Sequence, residues 1–416
     1  MHTTRVYIAP ETFLPLVGGS EKQAFLQSKY LRAQGIEATI ITLHFQRDCP
    51  ASEVMEGVPV LRVAGRILRW HERLPGILRQ LCYLCALIVL GWRLWHCRHA
   101  YDVLHIFQFS LFTLPALVVS RLAEKPLVVA MRCDTPPGGK RRARPWADLD
   151  GLARLGKPMV RFINYQLCLA QACIVVLSTH MRESLSRSGL DGATIRLIPN
   201  GVDTAYFAPC ADGVEEEDHD EQALTVVCVA KFRHQKGIDV LLCAWRLLIE
   251  QLPEARLILV GDGPLFASLQ RLAEELGITE SVKFAGLCSD VAQQYRRGRI
   301  AVLPSRWEGM PNALLEAMAC GRACIATRVS GSEDLLLGEE HGLLVEPEDR
   351  NGLAEALWLL LTEPEMARRY GRAARQHVEQ HYALQRIMDR HIGLYHELLE
   401  RRHQKGCLGV GVAEIG

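Results

Sequence analysis

Short runs of β-branched and aliphatic residues alternate along this chain with longer stretches whose apolar residues recur every three or four positions. In the second half the short runs fall at residues 224–230, 256–260, 281–285, 299–303, 323–327 and 342–345. Segments between them, such as 238–252 and 265–276, have the period and length of helices. The first half repeats the rhythm at 5–9, 38–43, 58–63, 103–107, 127–131, 172–177 and 194–198. Strands alternating with helices predict a parallel, doubly wound sheet in each half. The halves part at residues 211–222, an acidic stretch with almost no apolar side chains, which reads as a solvated linker. The expected fold class is therefore α/β: two Rossmann-like doubly wound lobes, with a ligand in the cleft near the carboxyl ends of the strands. The expected division is a first lobe over residues 1–210, the linker at 211–222, a second lobe over 223–384 and a helix over 385–405.

Composition narrows the function classes. The chain has 416 residues, 49% of them hydrophobic, and a formal net charge of +1. That is globular, with material for two or three domains, and gives no electrostatic reason for a nucleic-acid partner. Residues 5–9 read as a short strand rather than a leader. No uninterrupted apolar run reaches the length of a membrane span. The best candidate, residues 81–92, is too short, so no spanning helix is expected. Of the fourteen cysteines, Cys82 and Cys85 have no second pair at zinc-ribbon spacing, and Cys168, Cys173, Cys228, Cys243, Cys320 and Cys324 sit in apolar runs. They are expected to be reduced and structural, in a cytosolic protein.

The richest chemistry lies in residues 303–334. Glu308 follows an apolar strand, and Glu316 comes eight positions later. Pro311 suits a first helical position, where its missing N–H costs nothing, and Gly321 suits the helix stop. The helix over 312–320 places Asn312 and Glu316 on one face. Free N–H groups at its start suit a phosphate, and a nearby carboxylate can accept bonds from sugar or ribose hydroxyls. Together they fit a nucleotide sugar. Residues 229–237 read Val-Ala-Lys-Phe-Arg-His-Gln-Lys-Gly, so Lys231 and Lys236 flank a loop that leads into a helix at Ile238. Two cations there suit a diphosphate, including one whose charge grows as it leaves. Gly18-Gly19 precedes a helix near Glu21, and lets the backbone approach a ligand closely. Gly261-Asp262-Gly263 lacks the third glycine of a dinucleotide fingerprint. Asp218-His219-Asp220 has an Asp-x-Asp spacing, but in a low-complexity acidic linker it reads as solvated charge, so no metal site is expected.

These residues carry a family resemblance that covers nearly the whole chain. The sequence resembles the retaining GT-B glycosyltransferases of the large family (family 4 type) that includes bacterial mannosyltransferases and polysaccharide-assembly transferases. Its most specific part is Glu308 to Glu316 followed by Ala317-Met318-Ala319-Cys320-Gly321. Leu197-Ile198-Pro199-Asn200-Gly201-Val202-Asp203 resembles the segment before the interlobe crossing, and Gly18-Gly19 resembles the N-terminal glycine loop. The resemblance implies that Glu308 contacts the transferred sugar, Glu316 the donor ribose, and Lys231 and Lys236 the diphosphate. It implies that the backbone at Met310, Pro311, Asn312, Ala313 and Leu314 closes over sugar and phosphate. It also implies retention of configuration, no cofactor beyond the nucleotide sugar, a lipid-linked or saccharide acceptor in cell-surface polysaccharide or glycolipid assembly, and a C-terminal helix that crosses back to the first lobe.

Two positions depart from the family pattern. Ala230-Lys231 stands where Gly-Arg is usual, and the end of strand 127–131 reads Met131-Arg132-Cys133-Asp134 with no histidine. Arg132 and Asp134, with His105 as a lesser candidate, are the acceptor-side residues left. The missing histidine motivates one alternative, a non-catalytic sugar-nucleotide-binding relative; a GT-B sugar-nucleotide epimerase is another. Residues 66–98 mix arginines with Trp70, Trp92 and Trp95, which suits either an anionic membrane surface or a helix buried on the first sheet. Lys140-Arg141-Arg142-Ala143-Arg144 offers a second basic stretch, for a lipid diphosphate or for solvent. The expected location is the cytoplasm, with the inner membrane face as a peripheral alternative.

Overall fold

The computed structural model of the protein describes residues 3–15, 18–46, 48–68, 74–107, 110–132, 172–187, 194–209, 224–336, 338 and 340–410. Asp134, the basic stretch 140–144 and the acidic linker with Asp218 and Asp220 lie outside the described residues.

The first lobe holds strands β1 (Arg5–Ala9), β2 (Glu37–Leu43), β3 (Ser52–Met55), β4 (Val58–Val63), β5 (Val103–Ile106), β6 (Leu127–Met131), β7 (Cys173–Val176) and β8 (Ile195–Leu197). They form one sheet in the order β3-β4-β2-β1-β5-β6-β7-β8. The second lobe holds β9 (Thr225–Val229), β10 (Arg256–Val260), β11 (Val282–Gly286), β12 (Ile300–Leu303), β13 (Ala323–Thr327) and β14 (Leu343–Val345). Their order is β11-β10-β9-β12-β13-β14, and every pairing is parallel.

The expected rhythm missed one element. β3 runs antiparallel to β4 at the sheet edge. Its turn is Glu56–Gly57, with φ of 45° and 81°, the left-handed pair that a two-residue hairpin requires. Glu-Gly between two apolar residues was the available signal, but the four-residue strand is too short to show a period.

Strand order fixes where a ligand can sit. β1 lies between β2 and β5, and β9 lies between β10 and β12. Successive crossovers leave these strands on opposite sides, which opens a crevice at their carboxyl ends. The loops that follow β1, β9 and β12 carry Gly18-Gly19, Lys231 with Lys236, and Glu308 respectively.

Among the described residues, helices that bear on the cleft or on the first lobe include α1 (Gly19–Ala33), α2 (Gly76–His96), α3 (Thr113–Leu122), α4 (Asn312–Ala319) and α5 (Leu384–Val410). α5 packs back on the first lobe: Ile387, Met388, Leu394 and Tyr395 join one core with Val6, Ile8, Val103 and Val128. Its entry is pinned by main-chain bonds from Val202 N–H to the Tyr382 carbonyl at 3.0 Å and from Leu384 N–H to the Val202 carbonyl at 2.8 Å. A Cβ at Gly201 would stand 3.0 Å from the Leu384 backbone, so glycine allows this approach.

α2 corrects the expectation that no helix is long enough to span. It has 21 residues and is apolar enough to cross a membrane by length and composition. Interspersed Gly91, Arg79 and Arg93 hide this in the sequence, because they break the apolar run. Tyr83, Ala86, Leu87, Leu90 and Leu94 bury one face in a core shared with Ala116, Leu117 and Val119 of α3. The other face leaves Ile77, Leu81, Ile88 and Trp92 exposed at 76%, 51%, 71% and 61%.

Candidate functional site

The second lobe builds one wall from two loops that are locked together. After β9, Lys231 is exposed at the strand end, and a short 3-10 turn at His234–Lys236 stops at Gly237. Gly237 has φ of 61°, and a Cβ there would lie 2.0 Å from the Pro304 carbonyl oxygen. Glycine therefore brings the lysine loop flush against the loop after β12. Arg306 N–H donates to the Gln235 carbonyl at 2.7 Å, and the Gln235 amide donates to the Trp307 carbonyl at 2.8 Å. The Arg306 guanidinium forks onto Asp239 at 2.8 and 2.7 Å. In that clamp Lys236 makes an ion pair with Glu308. Glu308 is 5% exposed, and the same oxygen accepts from Ser305 Oγ at 2.7 Å.

From Glu308 the chain enters α4. Pro311 is extended, with φ of −79° and ψ of 109°, so it caps the helix rather than opening it, and the helix stops at Ala319 with Cys320 as its cap. A Cβ at Gly331 would lie 2.3 Å from the Gly309 carbonyl, so that loop is packed backbone to backbone. Glu316 is buried, and its carboxylate accepts from Lys22 Nζ, across the cleft, at 2.5 Å. Burial pushes the Glu316 carboxyl above its ordinary range, and Lys22 opposes that shift.

The first lobe meets this wall with the start of α1. Gly18 is the extended cap residue and Gly19 begins the helix, two positions earlier than expected. A Cβ at Gly19 would come within 3.1 Å of Asn312 Nδ2, which donates to the Gly19 carbonyl at 3.3 Å. Asn200 joins both lobes. Its Nδ2 donates to Asn312 Oδ1 at 2.8 Å and to the Met310 carbonyl at 3.4 Å. Its Oδ1 accepts from the Arg132 guanidinium at 2.6 Å. Arg132 also lies 4.1 Å over the Phe107 ring, and burial pulls its guanidinium below the ordinary range.

Gly18, Gly19, Met310, Pro311, Asn312, Glu316 and, through Asn200, Arg132 thus come together at the mouth of the two switch points. Ala313 and Leu314 form the first turn of α4, and Glu308 with Lys236 adjoins them. His105 does not join them. It lies within β5 rather than after it, is fully buried, and bonds Tyr395 of α5 at 2.7 Å. Burial holds its imidazole well below the ordinary range. With no exposed surface, it reaches an acceptor only through another group. Lys22 and Asn200 were missed as site residues. Asn200 sits in the Pro-Asn-Gly segment, whose character was visible, whereas nothing local distinguishes Lys22 from a solvated helix lysine.

The comparisons with known proteins agree with this architecture. Residues 18–201 match the family described as glycosyl transferase 4-like domain, and residues 213–377 match glycosyl transferases group 1. The chain is 31% identical to N-acetyl-alpha-D-glucosaminyl L-malate synthase of Bacillus anthracis, over 43% of this chain and 47% of that protein. It is 30% identical to the GDP-mannose-dependent alpha-(1-6)-phosphatidylinositol monomannoside mannosyltransferase of Mycolicibacterium smegmatis, over 51% of this chain and 57% of that one. The alignments thus span about half the length of these two relatives. Sucrose-phosphate synthase from Thermosynechococcus elongatus superposes with a TM-score of 0.75 at 23% identity, covering 96% of this chain and all of that one, which speaks for the fold. The two family matches fall one on each lobe, and the chain belongs to the GT-B glycosyltransferases of group 1, with a glycosyltransferase 4-like first lobe.

Proposed function

We propose that this chain moves a hexose-type sugar from a nucleoside-diphosphate sugar to a lipid-linked or saccharide acceptor, with retention of configuration. The observation that carries this reading is the pair of buried carboxylates, Glu308 and Glu316, each matched by a cation at the cleft. Glu316 accepts the ribose hydroxyls, and Glu308 accepts hydroxyls of the transferred sugar. As the bond from the anomeric carbon to the diphosphate oxygen breaks, negative charge grows on the leaving group. Lys231 and Lys236 stand where that charge develops, and preorganised charge of this kind lowers a barrier most effectively. The main chain from Met310 to Leu314 closes over sugar and phosphate at the start of α4. The acceptor hydroxyl enters from the side of Arg132. The diphosphate is neutralised by these cations and helix ends without a metal.

The acceptor class draws on α2. Its exposed Ile77, Ile88 and Trp92 form an apolar face, Arg79 and Arg93 lie along the same helix, and the helix has no acidic residue. Such a helix suits the surface of an anionic bilayer. The mycobacterial relative's name specifies a GDP-mannose donor and a phosphatidylinositol-based acceptor, the same pairing of chemistries. A peripheral station on the cytoplasmic membrane face follows.

A thermal-shift series with UDP, GDP, ADP and dTDP tests the reading, because a ligand that binds only the folded state raises its melting temperature. At least one is expected to do so, and its sugar conjugates to be consumed when a membrane-lipid extract is added. No shift with any of the four would overturn the proposal.

A further inference from the structure

Lys22 lies in the first turn of α1, where the helix dipole favours acids and opposes a cation. Its ammonium nonetheless reaches across the cleft to Glu316 at 2.5 Å and lies 5.1 Å over the face of Phe207. Its side chain keeps 42% of its exposure, while that of Glu316 keeps 10%. The carboxylate is therefore the enclosed member of the pair, and the lysine the one with open space beside it. Two helix starts, those of α1 and α4, converge at this point, joined by the Asn312–Gly19 bond. Their field suits an anion between them and leaves Lys22 dependent on its partner.

We propose that Lys22 is an exchangeable cation of the donor site. In the empty protein it neutralises Glu316 across the lobes; when a nucleotide enters, ribose hydroxyls take over the carboxylate and Lys22 swings onto the adjoining diphosphate. The proposal rests on the reading of Glu316 as the ribose contact. Chemistry supports the exchange. The two ribose hydroxyls can each donate to a carboxylate oxygen, replacing the bond that the ammonium gives to Glu316 Oε1. The phosphate joined to the ribose is a few bonds away, within the sweep of a four-carbon stem. A freed ammonium between two helix starts then finds in the phosphate the counter-charge it lost. The same exchange ties nucleotide binding to release of the interlobe contact.

The test compares nucleoside diphosphate with free nucleoside. Calorimetry on the wild type, Lys22→Met and Lys22→Arg uses whichever of UDP or GDP binds, together with uridine or guanosine. Lys22→Met is expected to weaken the diphosphate roughly tenfold or more, the range for a lost charge-assisted bond. The nucleoside should bind as well as before, or better, because its competitor for Glu316 is gone. Lys22→Arg should restore most of the diphosphate affinity. Equal losses for both ligands in Lys22→Met, or no loss for either, would overturn the exchange and leave an interlobe brace. Glu316→Ala separates the two levels. If it leaves nucleoside binding unchanged, the ribose reading fails and this inference with it. If it weakens nucleoside binding while Lys22→Met keeps the diphosphate-to-nucleoside ratio of the wild type, only the role of Lys22 is lost. A melting curve for each variant confirms that it is folded.

Discussion

The two walls of the cleft are built differently. The second-lobe wall is a compact, sequence-local device. Lys236 and Glu308 come from neighbouring strands β9 and β12, Gly237 locks their loops, and Glu316 follows on the next helix. The first-lobe wall is assembled from distant pieces: Lys22 and Gly19 on α1, Arg132 after β6, and Asn200 before the crossing. A nucleoside diphosphate needs the same charges in the same places whatever sugar it carries, so a short motif can hold it. The first lobe has to meet the donor and, in the proposed function, an acceptor as well, so its contacts are drawn from pieces spread over the chain.

The largest effect should come from breaking the compact wall. Glu308→Gln keeps the shape of the side chain but removes its charge. Turnover is expected to fall roughly 10²–10³-fold, as when a preorganised charge contact at a reacting centre is deleted. Affinity for the nucleoside diphosphate alone should stay near that of the wild type, because the proposed contact is the sugar. Single-turnover rates set beside calorimetry separate the two. Weaker diphosphate binding with unchanged turnover would place Glu308 elsewhere.

The outer face of the first lobe should show its weight on a membrane. Replacing Ile88 and Trp92 by serine removes two exposed side chains of α2 that would enter a bilayer. At about 1–1.5 kcal/mol each for partly exposed groups, the loss is roughly 30–150-fold in partitioning onto anionic liposomes. High salt should release the wild type, since screening at about 1 M shortens the reach of Arg79 and Arg93 from about 8 Å to about 3 Å. Sedimentation that is equal with neutral and anionic liposomes and indifferent to salt would argue against this attachment.

The same contrast explains what could be read in advance. Both sheets, the crevice at the strand ends and the Glu308–Glu316 segment were legible, because period and spacing are local properties. Strand bounds moved by about one residue, and helix bounds moved further where caps decide them, as at Gly19. β3 was lost for want of length. His105 misled because polarity near a strand end looks alike whether the group faces a cleft or a buried partner, and only the return of α5 supplies Tyr395. Lys22 was invisible because its partner is 294 positions away.

Smaller effects sharpen the division between ribose and diphosphate. Lys236→Ala should weaken diphosphate binding by about 1.5–3 kcal/mol, with Lys231→Ala similar, and spare the free nucleoside. Glu316→Ala should weaken both ligands. Glu316 also makes a pH prediction. Burial raises its carboxyl above the unfolded range, so the folded state holds the proton more tightly. Stability from this group is then greatest in acid and falls as pH rises from the ordinary carboxylate range through the raised value. Glu316→Gln removes that dependence. Its melting temperature should gain on that of the wild type as pH rises through that window, and a gap that narrowed instead would contradict the burial argument.

The smallest expected effect is none. A donor diphosphate must be neutralised, either by a divalent ion or by the protein itself. In the proposed function Lys231, Lys236 and the starts of α1 and α4 do so from both walls, and an ammonium needs no carboxylate cage to hold it in place. Among the described residues, no group of three or more His, Cys, Asp or Glu side chains is placed to hold an ion. Sugar transfer should therefore proceed at the same rate in excess EDTA as without it. The comparison is informative because the two walls predict different failures. Loss of activity in EDTA with restoration by magnesium or manganese would mean that the lysines do not suffice. Asp218 and Asp220, between the two lobes in sequence, would then be the residues to change to asparagine first.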